Sequence, residues 1–145
     1  MTIPPELEAL SPIGGTDAGR YFLLDPDVIV ALPRPGYIQS GEGATRSLVE
    51  FDRITREAGR RAAIVVLVDR VMSQDPASRR VWSQQRPDET RCAQALVCGN
   101  VLSRAIGSFF LGLSRGPVPT RMFATLHEAR VWARQMVETQ GGPIA

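Results

Sequence analysis

RRAAIVVLVDRVMSQDPASRR, residues 60–80, is the stretch on which the fold turns. Residues 62–68 are apolar at every position, with no polar alternation. Such a run fits a strand covered on both faces, as in a parallel α/β sheet, better than an edge hairpin. It is expected at the centre of the sheet. The run ends at Asp69 and a short polar loop follows. Asp75 then stands where an N-cap belongs, with Pro76 at the first helical position. Ala77, Val81 and Trp82 supply the buried side of that helix, which Pro87 stops.

Working outward toward the amino end, RYFLL and DVIVAL are β-branched and aromatic runs around Asp25-Pro26-Asp27, a turn by composition. They predict an antiparallel hairpin. PRPGYIQSGEG is rich in turn formers and leads into a helix over 44–58. Ala44, Leu48, Phe51, Ile54 and Ala58 fall on its packing face. Arg46, Glu50, Arg53 and Glu57 form a wet face of i,i+3 and i,i+4 pairs. Gly59 ends it in the left-handed cap.

Toward the carboxyl end, residues 93–98 form the next apolar run, with Gly99-Asn100 as its exit. The helix over 101–113 is expected to pack through Leu102, Ala105, Ile106, Phe109 and Leu113, with Ser103, Arg104 and Ser108 opposite. The turn-rich SRGPVPT precedes a short strand over 121–124. Thr125 and Glu128 make a Thr-x-x-Glu capping box, after which Ala129, Trp132, Ala133 and Met136 continue an apolar face. The order β-β-α-β-α-β-α-β-α predicts an α/β fold: a single-layer mixed, mainly parallel sheet of about five strands with four helices. Residues 1–19 read as a flexible leader, 20–138 as the domain and 139–145 as a flexible tail.

Composition narrows the function. A chain of 145 residues has room for one core. The 43% hydrophobic and 22% charged content is that of an ordinary globular protein, without an apolar run near the roughly 18 residues of a membrane span. Residues 1–19 have neither the basic residue nor the apolar core of a secretory signal, so the expected location is cytoplasmic. All 17 basic residues are arginine, which excludes a Walker-type phosphate lysine, a Schiff base and a lysine general base. A formal charge of +2, spread along the chain, gives no stripe for nucleic acid. Cys92 and Cys98, on either side of AQALV, would stand roughly 20 Å apart on an extended strand, too far for a disulfide. With His127 the single histidine, no familiar His/Cys zinc spacing exists. No metal and no cofactor is expected.

The strand-acid-loop-helix of residues 62–80 and the run VCGNVLSRAIGSFFLGLSRGPVPTRMFATLHEARVWAR, residues 97–134, resemble the SpoIIAA-like (STAS/SEC14-type) bacterial proteins. The order of elements is similar over residues 20–137. The resemblance implies a small α/β domain related to the anti-sigma-factor antagonists and to the lipid-carrying CRAL-TRIO fold. In the antagonists, a serine in an Asp-Ser-Ser-Gly signature after the central strand is phosphorylated. Here that region reads Ser73-Gln74-Asp75-Pro76-Ala77-Ser78, so the signature is missing. Ser73 and Ser78 are the serines left for a switch, with Asp75 as a fixed negative charge.

Other patterns have plainer readings beside their functional ones. Gly41-Glu42-Gly43-Ala44-Thr45 is an anion cradle or simply a helix entry. Asp69 is a ligand group at the end of a central strand, or a charge placed for local hydrogen bonding. His127 has no acid partner in a motif and no Gly-x-Ser-x-Gly elbow accompanies it. Arg104, Arg115 and Arg121 line an anionic partner site or are scattered solvated arginines. Phe110 widens the core contact or joins a partner patch. Together these point to a non-enzymatic regulatory or scaffold module that binds another protein. Asp69, Ser73, Asp75 and Ser78 are the switch or contact candidates, and Ser103, Arg104, Phe110 and Arg115 the contact surface. Self-association into a homo-oligomer is compatible with this. The other class is a carrier of a lipid or small apolar ligand, which needs a pocket of a few hundred Å³.

Overall fold

The strand Arg60–Leu67 pairs in parallel with Val28–Pro33 on one side and with Arg91–Val97 on the other, so the apolar run is central. The computed structural model describes residues 3–83, 89–113 and 118–144; of residues 82–83 and 109–113 it describes the backbone alone. In chain order the elements are α1 (Pro5–Glu8), β1 (Gly14–Thr16), β2 (Gly19–Asp25), β3 (Val28–Pro33), β4 (Tyr37–Gln39) and α2 (Gly41–Ala58). There follow β5 (Arg60–Leu67), a 3-10 turn (Val68–Arg70), β6 (Val71–Gln74), α3 (Pro76–Ser83), β7 (Arg91–Val97) and α4 (Val101–Leu113). The chain ends with β8 (Thr120–Phe123), α5 (Leu126–Gln140) and β9 (Gly142–Pro143). The main sheet runs β1-β2-β3-β5-β7-β8, antiparallel to β3 and parallel from β3 onward, with β9 on the start of β5.

The mixed α/β class is as the periodicity predicts, but among the described residues the main sheet has seven strands rather than about five and there are five α-helices rather than four; the sheet is covered on both faces. Ala63, Val65 and Leu67 of β5 enter one core with Phe22, Val30 and the inner side of α5, Ala129 and Ala133. Ala62 and Ile64 enter the other, with Tyr21, Ile29 and the α2 residues Phe51 and Ile54. Val65 is fully buried, and covering a side chain of that size contributes about 1.5–3 kcal/mol. Pro87, expected to stop α3, lies outside the described residues.

Several expected boundaries move, each for a local reason. Helix α2 begins at Gly41 because the Ser40 hydroxyl accepts the Gly43 N–H at 2.9 Å, which draws the glycines into the first turn. It ends at Gly59 with φ 71°, a conformation that glycine adopts without steric cost. Residues 3–18, expected as a leader, carry α1 and β1, and the α1 residue Leu7 is buried in the α5-side core. In the tail, β9 pairs with Arg60 and Arg61, and the Ile144 N–H donates to the Gly59 carbonyl at 3.0 Å.

A second, two-stranded parallel sheet joins β4 to β6, where only turn and loop were expected. Tyr37 and Val71 are buried and pair, while Ile38 on β4 and both Met72 and Ser73 on β6 are exposed, with a register shift after Tyr37. The Gln39 carbonyl accepts the Asp75 N–H, and the Gln74 amide donates to Gln39 Oε1 at 2.8 Å.

Candidate functional site

The candidate residues converge on one end of the molecule, where the parallel strands β5 and β7 finish. Asp69 sits in the 3-10 turn, and its Oδ1 accepts the Gly99 N–H at 2.8 Å and the Asn100 side-chain N–H at 3.3 Å. One carboxylate therefore ties the end of β5 to the entry of α4. This local hydrogen bonding is the plainer of its two sequence readings.

Asp75 caps α3: its Oδ1 accepts the Ser78 N–H at 2.7 Å, as the Asp-Pro pattern predicts. Ser78 is fully buried, and its Oγ donates to the Asp75 carbonyl at 2.8 Å. The Ser78 hydroxyl, expected as a switch candidate, is thus covered and already engaged in the first turn of α3. Ser73 is exposed on β6. Of the two serines it alone is open to modification.

Ser103 likewise moves from the expected contact surface into the interior. Asn100 caps α4 by accepting the Ser103 N–H on Oδ1 at 2.8 Å, and Ser103 Oγ accepts the Asn100 N–H at 3.1 Å. This reciprocal cap fixes the rotation of α4. Ser103, Ile106 and Gly107 turn inward, and Leu102 and Ala105, expected to pack, turn out. Gly107 permits this because an added Cβ would stand 2.6 Å from Cys98 Sγ and 2.9 Å from Met122 Sδ. Over residues 101–108, spacing placed Ile106 inward as observed and missed the inward turn of Ser103 and Gly107.

The consequence is an apolar surface around the cap. Val101 is 84% and Leu102 55% exposed on the first turn of α4. On the neighbouring small sheet, Met72 is 56% and Ile38 59% exposed. Helix α4 packs beside β6 and the 3-10 turn, so these side chains, Ser73 and exposed Arg104 share one end of the domain. The side chain of Phe110 and the whole of Arg115 lie outside the described residues.

Sequence reasoning also passed over Arg70. It is buried, and its Nη1 donates to the Pro33 carbonyl at 3.1 Å, fastening the 3-10 turn to the end of β3. Burial, and then the charge of Arg20, lower its pKa. A hydrophobic run followed by Asp-Arg gave no hint that the arginine turns inward. Of the remaining candidates, His127 is exposed on the first turn of α5 and Arg121 lies over the Phe123 and Trp132 rings, at 5.3 and 5.8 Å. Among the described residues no helix is long and apolar enough to cross a membrane, and no cluster of three or more His, Cys, Asp or Glu could hold a metal ion.

The fold and this surface define a small α/β domain with an apolar end built on a helix cap. A family model described as a domain of unknown function (DUF7793) matches residues 41–137, over half of the chain, and the chain belongs to that family. The match opens at α2 and closes within α5, so β1 to β3, which complete the main sheet, and β4 of the small sheet lie outside the matched span. No curated protein and no solved structure matches the chain.

Proposed function

We propose that this is a non-enzymatic, cytoplasmic regulatory or scaffold module, of the SpoIIAA-like kind its sequence resembles, that works by docking another protein on the α4 cap. The observation that supports this reading is the exposed pair Val101 and Leu102 on α4, a helix packed against the strand that carries exposed Met72. Apolar side chains gathered at one end, rimmed by polar groups, are the usual mark of a partner site. Arg104 supplies a charged rim and Ser73 a modifiable one. A phosphate on Ser73 adds nearly two negative charges beside apolar contacts, and desolvating it on docking would weaken the complex.

Site-specific photo-crosslinking tests this. A crosslinker at Val101 or Met72, introduced in the native host, is expected to capture one defined protein. The same group at Val49, also well exposed but on α2, captures none, and Leu102→Asp removes the Val101 product while leaving the folded protein unchanged. Equal capture from Val49 and Val101, or none from either, overturns the proposal.

A further inference from the structure

On the α2 side of the sheet a half-open cavity of about 70 Å³ lies between the strands and the layer above them. Its floor is Ala31 of β3, Ile64 and Val66 of β5 and Leu96 of β7, with Tyr37 and Val71 as a wall. The floor is mostly apolar, with one polar group in it: Gln94 of β7, 5% exposed.

The orientation of that amide is set by its neighbour. Arg91 Nη1 donates to Gln94 Oε1 at 3.3 Å, and because a guanidinium has no acceptor, the oxygen must face it. Nε2 is left with its two protons, and it makes no hydrogen bond among the described residues. The amide donor opens on the cavity rather than being sealed in the core, and the arginine at its oxygen polarises it into a better donor. Thr16, Gln39 and Ser47 elsewhere in the lining could hold a water, but only an apolar body covers the floor, and an oxygen carried on it satisfies the Gln94 donor as well.

We propose that this cavity is a binding site for a compact apolar molecule bearing one acceptor oxygen, a carbonyl or carboxylate, held by Gln94 Nε2 and packed on Ala31, Ile64, Val66 and Leu96. At this size the ligand has on the order of five or six heavy atoms, and its affinity is roughly millimolar for an unelaborated fragment. The volume is well below the several hundred Å³ that an acyl chain needs. The site stands apart from the α4 cap and does not depend on the protein-docking reading.

Titration of the isotope-labelled full chain with butan-2-one and, separately, with isobutyrate tests the proposal by NMR. At least one probe is expected to shift the Gln94 side-chain amide and the Ile64, Val66 and Leu96 methyls saturably; which one responds tells a neutral carbonyl from a carboxylate ligand. Gln94→Glu keeps an acceptor for Arg91 but removes both amide protons, and is expected to weaken binding about tenfold or more. Ala31→Leu fills the floor and should abolish it while the backbone spectrum stays native. No saturable response to either probe, or undiminished binding in both folded variants, overturns the site.

Discussion

The Arg130 guanidinium holds the Asp25 carboxylate through two hydrogen bonds of 2.8 Å, Nε to one oxygen and Nη2 to the other, locking α5 onto the β2–β3 turn. The carboxylate is mostly buried, so water screens this pair less than an exposed one. The hydrogen bond from Arg130, and then its positive charge, hold the Asp25 carboxyl below its ordinary 3.8 despite the opposing effect of burial. The turn is thereby fixed to the far end of the chain.

Asp25→Asn should cost about 1.5–3 kcal/mol in urea unfolding near neutral pH, the range for hydrogen bonds to charged groups. The pH dependence has a definite sign. A carboxyl with a depressed folded pKa binds its proton more readily when unfolded, so its contribution is complete above the unfolded value near 4 and is lost as pH falls through the lower folded value. The difference between wild type and Asp25→Asn should therefore be constant above about pH 5 and shrink below pH 4. A gap that persists unchanged into strong acid would show that the ion pair is not its source.

Gly107→Ala offers a case where two effects oppose. Alanine in place of glycine inside a helix is worth about 1 kcal/mol in propensity. Against it, the new methyl meets Sγ of buried Cys98, just past the end of β7, at 2.6 Å and Met122 Sδ at 2.9 Å. The thioether can swing aside; the buried Cys98 cannot. Overpacking of this kind costs about 1–3 kcal/mol, so the single variant should be less stable than wild type. Gly107→Ala with Cys98→Ala should recover stability relative to the sum of the single changes, and a thermodynamic cycle on the melting curves measures that coupling.

These two relationships show what was legible in the sequence. The β5 run, the Asp-Pro start of α3, the Thr125 cap and the Gly59 stop carry their reasons within a few residues, and the structure has each in place. The rotation of α4 does not, because the largest apolar residues would by themselves choose the core. It is decided by the Asn100–Ser103 cap and by the room above Cys98 and Met122, which requires β7 and β8 to be assembled. The β4–β6 pair escaped for the same reason: Tyr37 and Val71 have sequence neighbours typical of turns and find each other only through tertiary packing. At the candidate site, Asp69, Ser73 and Asp75 could be proposed from local pattern, whereas Ser78 and Ser103 turned out to be buried first-turn residues bonded to the caps Asp75 and Asn100.

The cysteines should be chemically silent in the native state. Burial, and then the charge of Asp69, push the Cys98 thiol up to about 11, and burial raises Cys92 as well. The reactive thiolate is therefore scarce and covered. With an aromatic disulfide reagent at pH 8, native protein should show neither thiol reacting on the time scale on which the urea-unfolded chain reacts with both. Any slow native reaction should follow the rate of opening. Prompt labelling of either cysteine would contradict the packing around β7.

Asp75 is both a cap and a charge, and two substitutions separate these. Asp75→Ala removes the acceptor of the Ser78 N–H and should cost about 1 kcal/mol, with faster amide exchange in the first turn of α3. Asparagine caps as well as aspartate but carries no charge, so Asp75→Asn should keep native stability and slow exchange at Ser78. If the proposed protein contact uses the negative charge, Asp75→Asn weakens crosslinking from Met72 without loosening the helix. If the contact needs only an ordered α3, Asp75→Ala weakens it and Asp75→Asn does not. Crosslinking that follows neither exchange at Ser78 nor the charge would place the partner away from α3 and confine it to Val101 and Leu102.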